Sequence, residues 1–284
     1  MKSRNLKHGP SMLIFGAFAV IVLMATGALG QTCERLGRGE TCMVTANEIL
    51  SGDFNGVIVI AQDGITLDCT LKTVNAEGDV RTAVAGITLE GRTGVTIRNC
   101  IVRNSFRGFL IRNSKMNVLE GNEAERNEQE GFRLEGSDTN MFIRNRSISN
   151  GRDGFDIGNS KDNSFVNNTV TLNAVNGIEL EFSNNNTFAD NHVNENRQHG
   201  FSLDDSSDNK FFDNEANKNG GGGFPPRNNI GVGFQIVRRN NDNRFARNRA
   251  SGNVERDADQ SVDSLRNIFI DNAFVRSRNI QTIP

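Results

Sequence analysis

Apolar residues between positions 108 and 220 recur with a long fixed period. A Gly followed by a large apolar residue returns every 23 positions, at Gly108-Phe109, Gly131-Phe132, Gly154-Phe155, Gly177-Ile178 and Gly200-Phe201, and once more after 33, at Gly233-Phe234. Leu119, Phe142, Phe165, Phe188 and Phe211 form a second apolar column, and Ala124, Ser147, Val170, Val193 and Ala216 a third of smaller residues. Polar positions keep the same register. Ser114 to Ser206 stand six residues after each Gly, and Asn columns stand nine, fourteen and nineteen after it (Asn117 to Asn209, Asn122 to Asn214, Asn127 to Asn219). Within a segment such as Phe155-Asp156-Ile157 apolar and polar residues alternate, which is strand periodicity, and the Gly and Asn between segments are turn formers. Three short strands and three turns per 23 residues predict one coil of an all-β solenoid with parallel sheets. No unit carries ten residues of helical periodicity, so crossover helices are excluded. A leucine-rich repeat is excluded because Asn stands where its middle Leu is required.

Stacking explains the residue types. Coils about 4.8 Å apart turn like positions into columns, so the Phe residues pile up inside. The chain has 19 Phe and neither Trp nor Tyr, as a narrow dry interior demands, since an indole or phenol would need a buried partner. Asn at the bends is expected to take left-handed backbone and to hydrogen-bond the neighbouring coil. The segment Gly64-Ile65-Thr66-Leu67-Asp68-Cys69 matches Gly94-Val95-Thr96-Ile97-Arg98-Asn99, and Asn267 to Asn272 repeats the Asn-x-Phe-x-x-Asn unit. The solenoid is therefore expected over 56–275, in roughly nine coils. An N-terminal cap at 31–55 and a tail at 276–284 would cover its open sheet ends. A ten-residue insertion around Gly220 to Asn229 reads as a projecting loop.

The first thirty residues follow other rules. Lys2, Arg4 and Lys7 precede the apolar run Met12 to Met24, and Ala28-Leu29-Gly30 supplies small residues for cleavage. This predicts a signal peptide at 1–30, and a secreted or periplasmic protein with no membrane attachment after cleavage. The formal charge of the whole chain is −2, and residues 31–284 carry 29 Lys and Arg against 34 Asp and Glu. A mildly acidic chain is not built to hold nucleic acid through counterion release. Export permits disulfides. Cys33, Cys42, Cys69 and Cys100 allow three connectivities. Cys33 with Cys42 is favoured, and free thiols compete for Cys69 and Cys100.

With its Gly-Ile/Phe-x-Ile/Leu…Ser-x-x-Asn-x-Phe-x-x-Asn unit, the chain resembles the right-handed parallel β-helix repeats of carbohydrate-binding and sugar-hydrolase proteins. That group includes NosD-like proteins, mannuronan epimerases, pectate lyases and polygalacturonases. The resemblance covers about residues 56–275 and implies a right-handed parallel β-helix. Asp153 and His199 each stand one residue before a repeat Gly, where polygalacturonases carry catalytic Asp and His. The coil between them has Val175-Asn176 in place of that family's Asp-Asp pair, and Gln235-Ile236-Val237 in place of its Arg-Ile-Lys strand. The Asp-Pro-His-Asp motif of alginate epimerases is absent. Hydrolysis by the polygalacturonase route is therefore not expected. Only His192 and His199 remain in the mature chain, too few ligands for copper handling of the NosD type.

The outward positions of the first strand make Asp156/Glu179 and Glu181/Asp204 vertical neighbours. Such carboxyls raise one another's pKa, as acid–base chemistry on sugars requires. The candidate site is accordingly Asp153, Asp156, Glu179, Glu181, His199 and Asp204. No cofactor is required, and calcium is compatible with the oxygen ligands. The expected partner is a polysaccharide, of uronate type by preference. The alternative is a non-catalytic scaffold or surface-interaction protein whose acidic face is merely solvated.

Overall fold

Eleven parallel strands form the first sheet, from Glu40–Val44 to Ser277–Arg278, and eleven more form the second, from Glu48–Ile49 to Thr282–Ile283. A third sheet of six strands runs from Thr73–Asn75 to His192–Asn194. Bridges from His192 to Glu215 and on to Arg249 prolong it. The computed structural model describes residues 33, 36, 39–76, 85–221, 231–280 and 282–283. The expected signal peptide and most of the insertion lie outside these residues. Pairing follows the 23-residue ruler, as in Phe132↔Phe155↔Ile178↔Phe201. The chain is thus a parallel β-helix, and nine strands of its first sheet fall within 56–275, from Gly56–Ile60 to Arg256–Gln260. Stacking also reaches beyond both expected limits. Glu40–Val44 pairs with Gly56–Ile60, and Ser277–Arg278 pairs with Ala258 and Asp259. An open edge of unpaired N–H and C=O groups is satisfied by the next available segment.

The interior is two columns of rings. Phe109, Phe132 and Phe155 lie face to face at 4.6 and 4.5 Å, and Phe142, Phe165 and Phe188 at 4.8 and 4.7 Å. The two columns meet edge to face, as at Phe155 and Phe165, 5.7 Å apart at 88°. Offset-stacked and edge-to-face contacts are the arrangements that the ring quadrupole favours. The repeat Gly is required by proximity and not by its φ. A Cβ on Gly154 would lie 2.2 Å from Val170 Cγ1 and 2.6 Å from Gly177 O.

Through its side chain and backbone N–H, a ladder Asn within the stack makes five hydrogen bonds. Asn168 Oδ1 accepts from both N and Nδ2 of Asn145, while its own N and Nδ2 donate to Asn191 Oδ1 and its Nδ2 also to Phe142 O. One expectation needs correction here. The ladder Asn residues do not themselves take left-handed backbone. The residue before each one does: Arg144, Asn167 and Asp190 have φ of 53°, 55° and 54°. That twist turns the following side chain inward to the ladder. The ladders also cross the insertion intact, since Asn209 N donates to Asn243 Oδ1 and Asn214 N to Asn248 Oδ1. Cys33 is bonded to Cys42, as favoured, and Cys69 to Cys100, which removes the free-thiol alternative.

Candidate functional site

The site grows out of the first sheet and the turn that leads into it. In the strand Phe155–Gly158, Phe155 and Ile157 point inward and Asp156 outward. Parallel register places Asp156 beside Glu179 of the next coil. Asp153 stands in the turn just ahead. Its Oδ1 accepts the Asn176 N–H at 2.8 Å, which draws the carboxyl back toward the two strand acids. Asp153, Asp156 and Glu179 then offer one carboxylate oxygen each, all within 4.8 Å of one another. The cluster is more enclosed than an outward face implies. Asp153 is wholly buried, Asp156 is 4% exposed, and only Glu179 is half-buried.

Arginines one coil away close over the acids. Arg133 pairs with Asp156, while Arg107 and Arg152 reach Glu130 at 2.6 and 3.3 Å. Four carboxyls (Glu130, Asp153, Asp156, Glu179) thus face three guanidiniums, and one further positive charge balances the group. Asp153 Oδ2 finds no donor and lies against the Glu179 carboxylate. Burial, followed by repulsion from Glu179, pushes Asp153 up to about 7. Burial also raises Glu179 above the ordinary carboxylate range, reinforced by repulsion from Glu181 and opposed by Arg152 and Arg133. A proton held between Asp153 and Glu179 meets both needs: it gives Oδ2 a hydrogen bond and completes the balance. Calcium fits these residues less well. It takes six to eight oxygens, and Asp156 is already held by Arg133.

The remaining candidates divide. Glu181 and Asp204 are register neighbours as expected, one coil further on. Glu181 is exposed, and Asp204 is bonded to Arg238 at 2.9 Å. Burial raises Asp204, against the pull of Arg238. His199 shares the column of Asp153 but is separated from it by Asn176, whose Oδ1 accepts the His199 N–H. Its Nδ1 accepts the Val232 N–H at 3.2 Å, and burial lowers it to about 4. His199 is therefore a neutral imidazole with its proton on Nε2, holding the chain after the insertion, and not a base poised near neutrality. Sequence reasoning missed Arg107, Arg133 and Arg152 as parts of the site. The signal was present, because Arg107/Glu130 and Arg133/Asp156 are opposite charges 23 residues apart.

Comparison with known proteins fixes the class. The family described as the right-handed β-helix region matches residues 85–250, more than half of the chain, and this protein belongs to it. Among solved structures, the chain is similar to the periplasmic alginate epimerase AlgG at 15% identity and TM-score 0.55, covering 87% of this chain and 61% of that one. It is similar to the pectate lyase Pel9A at 16% identity and TM-score 0.56, covering 82% and 70%, and to a tailspike of an Acinetobacter phage at 13% and 0.55, covering 84% and 53%. The chain thus spans about three fifths of the length of the epimerase. No curated protein sequence matches it. At these identities the likeness is one of fold.

Proposed function

We propose that this protein binds or processes a polysaccharide, with a uronate polymer favoured, on the outward face of its first sheet. The observation that carries the reading is the Asp153–Glu179 pair, a buried carboxyl beside a half-buried one, ringed by Arg133 and Arg152. Two carboxyls in mutual contact cannot flank a glycosidic bond, since hydrolases hold theirs about 5–9 Å apart. They suit proton transfer on one face of a sugar. Glu179, the member that solvent reaches, takes the proton from the carbon beside a uronate carboxylate, and Asp153 sets its basicity. Arg152 and Arg133 then offset the charge that builds on that carboxylate. A proton delivered from solvent to the opposite face of that carbon gives the epimer, whereas breaking the adjacent C–O bond, with the departing oxygen taking a proton, leaves an unsaturated product. The six candidate residues divide accordingly: Glu179 transfers the proton, Asp153 and Asp156 position it, Glu181 and Asp204 extend the acidic face, and His199 holds the turn. No cofactor is required; calcium, if used, has to draw Arg133 away from Asp156. The reading places the protein outside the cytoplasm, supported by two disulfides. No helix among the described residues is long and apolar enough to cross a membrane.

The pairing of acids with arginines favours the second reading, a rigid non-catalytic interaction protein, and one experiment separates the two. The protein is incubated with polyuronates and neutral polysaccharides, with and without calcium, while binding, reducing ends and unsaturated products are measured. Turnover that Glu179→Gln and Asp156→Asn both abolish, with the fold retained, supports the site. Binding without turnover makes the protein a carbohydrate-binding module. Absence of binding to every polymer removes the polysaccharide reading for those substrates.

A further inference from the structure

The fasteners of the solenoid change in kind along its length. All three Asn columns stop at Asn117, Asn122 and Asn127, whose Oδ1 atoms accept the N–H groups of Val95, Cys100 and Ser105. The places of the next Asn are thus taken by residues that cannot continue a ladder of amides. The ring columns stop in the same region, at Phe109 and Phe142, and the interior before them includes Ile58, Leu67 and Val74. Both disulfides lie there. Cys100 occupies the ladder register itself, taking Asn122 as its acceptor on one side and Cys69 of the preceding coil on the other. The bond joins the coil of residues 56–76 to the coil of 85–105 across 31 positions of sequence. Cys69 and Cys100 are both wholly buried.

We propose that the Cys69–Cys100 disulfide is a redox latch on an end module. With the bond intact, residues 40–76 are held on the solenoid. When it is reduced, they open while residues 109–221 and 231–250 stay folded on their own ladders and ring columns. The chemistry is a two-electron exchange with an external dithiol, which reaches the buried sulfurs during transient opening of residues 40–76 and, by reducing them, keeps those residues open. The S–S bond of Cys69 and Cys100 breaks, each sulfur leaves as a thiol after taking one proton, and the dithiol is oxidised to its own disulfide. Opening uncovers the Ala85–Glu90 strand as an edge able to pair with another chain.

Hydrogen exchange read by mass spectrometry tests this on the full chain, oxidised and in excess dithiothreitol, and on the Cys69→Ala/Cys100→Ala protein. Exchange is expected to quicken about 100-fold in 56–60 and 66–68 and to stay within about twofold across 109–221 and 231–250 in both cases. Equal acceleration along the whole solenoid overturns the proposal, as does unchanged exchange in 56–68. A double variant that fails to fold overturns it too, because residues 109–221 and 231–250 must hold without the latch.

Discussion

Asp153 shows how one buried carboxyl couples the fold to pH. Its folded value of about 7 lies above the ordinary 3.8. As pH rises past 4 the unfolded chain releases this proton while the folded chain keeps it. Folded stability is therefore lost progressively between about pH 4 and 7 and the penalty is constant above that. Asn at this position copies the protonated acid, with an oxygen for the Asn176 N–H and an amide for Glu179. Asp153→Asn should stabilise the protein at pH 8 by on the order of 2 kcal/mol and leave it unchanged at pH 4, read from melting curves at both values. A melting temperature that moves equally at both would show that no proton is held there. Leu172 makes a different point. It has φ of 61° and is 54% exposed, a conformation that costs a branched residue about 1–2 kcal/mol. Leu172→Gly should raise the melting temperature by a few degrees. This strain was invisible in the sequence, because the repeat marks the Asn of each turn and the twist falls on the variable residue before it.

At the scale of the element, the columns hold the sheets. Asn168→Ala would leave Asn145 N and Nδ2, Asn191 Oδ1 and Phe142 O without one partner each. Buried groups stripped of partners cost about 1–3 kcal/mol apiece, so the loss in denaturant unfolding should be at least about 3 kcal/mol. Phe165→Ala, between Phe142 and Phe188 in its stack, should cost about 3–5 kcal/mol. A loss below about 1 kcal/mol for either would mean that neighbouring coils close the gap. These elements were legible in advance. The strands at Phe155, Phe165 and Val170, their register and their inward residues all follow from one period. The candidate site was legible only in part. The ruler aligned Asp156 with Glu179, yet could not show that Arg133 covers Asp156. Nor could it show that His199 Nδ1 accepts the Val232 N–H. Those facts depend on where side chains turn, and a period fixes only where backbones lie.

For the whole molecule, the expectation of roughly nine coils matches the nine first-sheet strands within 56–275, and the sheets continue past both expected ends. Residues 31–284 form one compact unit, but its two ends differ, one covalently fastened and the other closed by ladders that finish at Asn267 and Asn272. Each rung asks only for an identical rung above and below. Length is therefore a free parameter of this architecture, adjustable in steps of one coil. A second copy of residues 186–208, inserted directly after Asp208, would hand its register on to Asn209 without a break. Such a chain should fold, with its circular dichroism retained and its carboxyl cluster at 153–179 undisturbed. The same duplication made between Asp153 and Glu179 would part the two acids by one extra layer. The fold can thus be lengthened in steps of one coil, and a step placed between 153 and 179 is the one that would divide the proposed Asp153–Glu179 pair.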